Sequence, residues 1–110
     1  MKGLIYKLCS GWPKDIKRNL AISIALYGNY YDKVKIGITN DPERRFREHQ
    51  RNGWDRMVVR YITTSENHAN EIEKHFINRH EWMANIYRGW SNLGNGRNFY
   101  VYILLADRYE

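Results

Sequence analysis

Cysteine is almost missing from this chain: Cys9 is the only one in 110 residues. An intrachain disulfide is thereby excluded, a thiolate metal cluster cannot be built, and a reducing compartment is the expected setting. No segment comes near the roughly 18 consecutive apolar residues of a membrane span, and the first residues carry no apolar run of the signal-peptide kind. The expectation is a chain in the cytoplasm of a cell or host cell, with no membrane partner. Internal repeats, low-complexity tracts and linkers are also lacking. Residues 1–110 are therefore read as one domain, burying roughly two-thirds of the surface of its unfolded chain, with no room for a separate specificity domain. The four histidines have no second acidic cluster beside them, which argues against a zinc site.

What is present is positive charge and aromatic surface. Eighteen Lys and Arg against twelve Asp and Glu leave a formal charge of +6. This favours a polyanionic partner, because each neutralised phosphate releases counterions. Four Trp and nine Tyr can stack on bases, although most aromatics in a small domain belong to its core.

The most informative stretch is 34–49, Val-Lys-Ile-Gly-Ile-Thr-Asn-Asp-Pro-Glu-Arg-Arg-Phe-Arg-Glu-His. Val34, Ile36 and Ile38 alternate with Lys35 and Gly37 as in a strand with unlike faces, and Gly37 lets another group approach the backbone. Asn40 or Asp41 can cap a helix whose first position suits Pro42, so a helix is predicted from about residue 42. Arg45 and His49 stand four apart and share a face of it. Arg44, Arg47 and Arg51 spread positive charge around it as candidate nucleic-acid contacts.

This stretch resembles the second half of the GIY-YIG nuclease signature, with Lys35-Ile36-Gly37 where Tyr-Ile-Gly usually stands. The resemblance puts Arg45 on the family's catalytic arginine and His49 on its frequent histidine. Lysine in place of the signature tyrosine departs from the pattern, and Lys35 is then a candidate to stabilise a phenolate. The first segment, Lys2 to Leu8, reads as a strand and is similar to the "GIY" half through Gly3, Ile5 and Tyr6, which makes Tyr6 a candidate catalytic tyrosine. Tyr6 and Lys35 lie further apart than the family usually places them, implying an insertion within 9–32 at a hairpin. Pro13 to Tyr27 reads as an inserted helix, with Ile16, Leu20, Ile24 and Tyr27 at helical spacing and Gly28 as its cap. It reads equally as a strand from Leu20 to Tyr27 paired with Val34 to Thr39, in which case Tyr27 supplies the hydroxyl.

Gly53 ends the basic helix, and Arg56 to Ile62 is predicted to be a third strand. Thr63 with Glu66 has the form of a capping box for a helix from about 66 to 80. On that helix Ala69, Ile72, Phe76 and Ile77 make an apolar stripe, and Glu73 projects within it at about 40 degrees from Ala69, whereas Glu71 points away. A carboxylate on a core face is costly unless it meets a cation or a donor. GIY-YIG enzymes carry their metal-binding glutamate in such a setting, so the resemblance assigns Glu73 to Mg2+ or Mn2+. It also implies an asparagine further on, for which Asn92 in Asn92-Leu-Gly-Asn-Gly96 and Asn85 both qualify. Asn98 to Leu105 is predicted to be a closing strand beside the sheet, its apolar run belonging to the core.

The expected fold is α+β, a small three- to four-stranded mixed or antiparallel sheet flanked by helices. The resemblance implies a metal-dependent endonuclease that hydrolyses DNA phosphodiesters, and a homodimer would let one site per copy cut both strands. Two alternatives stand beside it: a catalytically inactive nucleic-acid-binding module of the same fold, and a structural or inhibitory domain that binds a protein through Trp12, Trp54, Trp82 or Trp90.

Overall fold

The computed structural model describes residues 1–79 and 98–109. Four strands, β1 (Leu4–Cys9), β2 (Tyr31–Thr39), β3 (Arg56–Thr63) and β4 (Phe99–Arg108), alternate with three helices, α1 (Pro13–Tyr30), α2 (Pro42–Gln50) and α3 (Glu66–Arg79). The sheet order is β1-β3-β4-β2. β1 runs parallel to β3, and β4 lies antiparallel to both of its neighbours. The fold is thus α+β with a four-stranded mixed sheet and helices on both faces.

Two sequence expectations about topology are corrected. β1 and β2 do not form a hairpin, because they occupy opposite edges of the sheet. β4 does not close an edge but enters the middle, which explains why six consecutive residues from Val101 to Ala106 are buried. A strand covered on both faces reads as a continuous apolar run.

Of the two readings of residues 13–27, the structure forms the helix. Ile16, Leu20 and Ile24 recur every four residues and are nearly or fully buried, a stripe a strand would have scattered over two faces. The helix runs through Gly28 to Tyr30, and the Tyr31 N–H donates to the Tyr27 carbonyl, so Gly28 is not its cap. α2 starts where expected: Pro42 takes the first turn and Asp41 accepts from the Arg44 N–H at 3.3 Å. Gly53, at φ +93, turns the chain away after it, a conformation side chains other than glycine avoid. The cap of α3 is Ser65, whose Oγ accepts from the His68 N–H at 3.2 Å. Thr63 instead accepts from the Ser65 N–H at 3.1 Å, so the Thr63–Glu66 capping box is not formed.

Alternation in β2 divides the core. Val34, Ile36 and Ile38 face α1 and α3, where they join Val58, Tyr61, Val101, Ile103, Leu105, Ala69, Ile72 and Phe76. The opposite face holds a smaller cluster of Phe46 from α2 with Met57, Val59, Tyr102 and Leu104. Register places Gly37 beside Tyr102 and Lys35 beside Leu104 on that second face. No helix among the described residues is long and apolar enough to cross a membrane.

Candidate active site

Gly37 is the floor of the site. A Cβ built there would overlap the phenol oxygen and ring of Tyr102, so only glycine allows this tyrosine to lie flat across β2. The requirement is spatial and not conformational. With its ring pinned, Tyr102 directs its hydroxyl to Nε2 of His49, 2.9 Å away in a buried hydrogen bond, and the two rings tilt at 55° with centroids 5.6 Å apart. His49 is delivered by α2, one turn beyond Arg45, so both come from the same helix face. The Arg45 guanidinium donates to Glu48 at 2.7 Å and also interacts with the Tyr102 phenol.

The electrostatics of these groups are mutually set. Burial, with the fields of Arg45 and Lys35, pushes His49 down to about 4, so its imidazole is neutral at physiological pH. Burial raises the Tyr102 phenol while Arg45 pulls it back. For Arg45, burial opposes the charge, but Tyr102 and Glu48 outweigh it and hold the guanidinium above its ordinary value. On α3, burial raises Glu73 to about 7, with Lys35 acting in the opposite sense. The field of Glu73 also reaches Tyr102. Lys35 therefore lies within electrostatic reach of both His49 and Glu73 at the β2 edge.

The residues predicted from sequence divide into three groups. Lys35, Arg45 and His49 come together on the face that α2 covers, while Glu73 comes from α3 on the other face of the sheet and is linked to them through the fields it shares with Lys35 and Tyr102. Tyr6 lies on edge strand β1, level with Val59, which is itself level with Tyr102; it is thus two strands from the site, and 49% exposed. Tyr27 packs with α1 against the opposite face of the sheet. Arg44, Arg47 and Arg51 are exposed around α2, with Arg47 paired to Glu43 at 3.6 Å. Glu71 is exposed and paired to Lys17 at 2.9 Å. Asn85, Asn92, Trp82 and Trp90 lie outside the described residues.

Sequence reasoning missed Tyr102 and Glu48. Glu48 follows Arg45 by three on the helix, a spacing that signals an ion pair. Tyr102 was hidden in a run read as core; its signal was a polar aromatic alternating with Val101 and Ile103, decipherable only with the pairing to Gly37.

No group of three His, Cys, Asp or Glu able to hold a metal occurs among the described residues. A desolvated single carboxylate such as Glu73 does fit the way Mg2+ is commonly held, by one or two carboxylates with waters and substrate phosphate oxygens.

A mixed four-stranded sheet with Arg, His and Tyr gathered over a strand glycine on one face, in a basic chain, defines a small α+β domain with a polar site at a sheet surface. The chain belongs to the T5orf172 domain family, whose model matches residues 22–95. That domain occurs in some nucleases, and membership fits a nuclease or DNA-binding role. The matched stretch holds β2, α2, β3 and α3 and ends before β4, which supplies Tyr102. No curated protein and no solved structure matches the chain.

Proposed function

We propose that the protein is a metal-dependent endonuclease of GIY-YIG type that hydrolyses phosphodiester bonds of DNA. The observation that carries this reading is the buried 2.9 Å His49–Tyr102 hydrogen bond with Arg45 beside it, held over Gly37. A neutral base, a phenol and a fixed cation at one place are what phosphodiester hydrolysis needs: a water must lose a proton while negative charge grows on the phosphate.

Arg45, oriented by Glu48, donates hydrogen bonds to the non-bridging phosphate oxygens. The attacking water passes its proton to the Tyr102 oxygen as the phenolic proton moves to Nε2 of His49. A bound phosphate offsets the fields of Arg45 and Lys35 that hold His49 down, so the imidazole becomes a stronger base once substrate is in place. Lys35 adds charge stabilisation at the strand edge. Glu73 would hold Mg2+ or Mn2+, which when bound supplies Lewis-acid screening of the phosphate and leaving oxygen.

The test is nicking of supercoiled plasmid in Mg2+ or Mn2+. Cleavage that disappears with EDTA, with Glu73→Gln and with Tyr102→Phe supports the reading. Cleavage unaffected by Tyr102→Phe would remove the relay, and a folded protein that cuts neither plasmid, single-stranded nor branched DNA would leave the binding-module alternative.

A further inference from the structure

Among the described residues one helix of nine residues, α2, covers the face of the sheet that holds the site, and its anchor Phe46 gathers Met57, Val59, Tyr102 and Leu104. The part of that face beyond the helix N-terminus carries aromatic side chains. Tyr6 shares a row with Val59, Tyr102 and Gly37, and Tyr100 is the next residue on the same face of β4, partly buried against the small cluster. The strand spacing puts Tyr6 about 10 Å from Tyr102 across the sheet, and Tyr100 about 7 Å along it. A single exposed aromatic is ordinary on a protein surface. Tyr6 is different because it lies in register with the site, level with Tyr102 and Gly37.

We propose that this strip, exposed Tyr6 with half-buried Tyr100, is a stacking platform for unpaired nucleobases beside the scissile phosphate, so that the preferred substrate is nucleic acid with a single-stranded segment at the cut. The inference rests on the hydrolytic reading for the position of the phosphate and goes beyond it in naming the substrate's structure. Bases paired and stacked in a duplex present only their edges in the grooves, whereas an unpaired base offers the ring face that a sheet-borne tyrosine can meet. Charge agrees. Asp41 and Glu43 lie close enough to Tyr6 that, after burial, they help raise its phenol. Asp41, with Glu43 partly offset by its pair to Arg47, disfavours a phosphate beside Tyr6 and leaves an uncharged base as the acceptable neighbour, while the exposed Arg44 and Arg51 can reach the backbone of one strand. The role needs the ring of Tyr6 and not its hydroxyl.

The experiment is fluorescence anisotropy with a labelled 12-nucleotide oligothymidine and a labelled mixed-sequence duplex of the same length, in EDTA so that nothing is cut. The variants are Tyr6→Ala, Tyr6→Phe and Tyr6→Trp, with Tyr109→Ala as an exposed tyrosine remote from the strip and circular dichroism to confirm folding. The expected result is tighter binding of the single strand than of the duplex, and a loss of between about fivefold and a hundredfold in single-strand affinity for Tyr6→Ala alone. Duplex affinity should stay unchanged, and the phenylalanine, tryptophan and Tyr109 variants should bind as the parent does. Equal loss for both ligands, loss in Tyr6→Phe, no loss in Tyr6→Ala, or no binding of either ligand overturns the platform. The two readings fail separately. Plasmid cleavage with Tyr6-independent binding retains hydrolysis and removes the platform, while Tyr6-dependent single-strand binding without cleavage of any DNA does the reverse.

Discussion

Replacing Gly37 by alanine tests the central packing relation of the site. The added Cβ falls within the phenol of Tyr102, so the ring must rotate off β2, and it cannot then keep its 2.9 Å contact to His49. Overpacking in a well-filled region costs about 1–3 kcal/mol, and the lost buried hydrogen bond about 1 kcal/mol more. Gly37→Ala should therefore destabilise by about 2–4 kcal/mol, a shift of roughly 1–2 M in a urea midpoint. Truncating Tyr102 to Ala costs about 3–5 kcal/mol by cavity formation but empties the space the new methyl needs. In that background Gly37→Ala should cost less than about 0.5 kcal/mol, because alanine is otherwise no worse than glycine in a strand. The double-mutant cycle thus predicts a coupling of about 2–4 kcal/mol. Urea unfolding followed by tryptophan fluorescence measures all four corners, with Tyr102→Leu as a milder truncation should Tyr102→Ala prove too unstable. An equal cost for Gly37→Ala in both backgrounds refutes the reasoning.

Further outcomes follow from the electrostatics and the caps. His49 has a folded value near 4 against an ordinary 6.5, so the unfolded chain binds the extra proton between those values. Its contribution to stability is fully present above about pH 6.5 and is lost as pH falls toward 4, on the order of 1–2 kcal/mol after allowing for screening. His49→Gln should flatten that limb of a stability–pH curve. Glu73 runs the other way: its folded value near 7 exceeds its ordinary 4.5, so its contribution is present below about 4.5 and disappears as pH rises through 7. Glu73→Gln should accordingly stabilise the metal-free protein at pH 8 by on the order of 2–3 kcal/mol and change little at pH 4, read by thermal melts in EDTA. Ser65→Ala removes the α3 cap and should cost about 1 kcal/mol in urea unfolding, whereas Thr63→Ala should cost less.

The local elements were legible where one residue type had one physical job. Pro42 behind Asp41 marks a helix start whatever the tertiary context, and Ile16, Leu20 and Ile24 can share a face only on a helix. The shared helix face of Arg45 and His49 was legible because the two stand four apart on one helix, whereas the side of the sheet from which Glu73 approaches was not. Tyr102 was not, because its meaning depends on Gly37 across a strand pair separated by more than half the chain, and no local period encodes that register. The same blindness placed β1 and β2 in one hairpin: a parallel β1–β3 pairing leaves no short-range mark. The capping error was smaller in kind, since Thr63 and Ser65 are both competent caps and two residues of slippage distinguish them.

The central position of β4 also bears on how the protein comes into being. Among the described residues β2 has no sheet neighbour except β4, and β4 is synthesised after the other three strands. Until it emerges, β2 presents an unpaired backbone edge, and Gly37 has no ring to lie over it. The pairings that complete the sheet join segments distant in sequence, a topology that folds slowly. Val34, Ile36 and Ile38 of β2 thus stay without β4 beside them until the segment bearing Tyr102 arrives. The same insertion that completes the core then completes the site, because the strand that pairs β2 with β3 is the one that carries Tyr102 to His49.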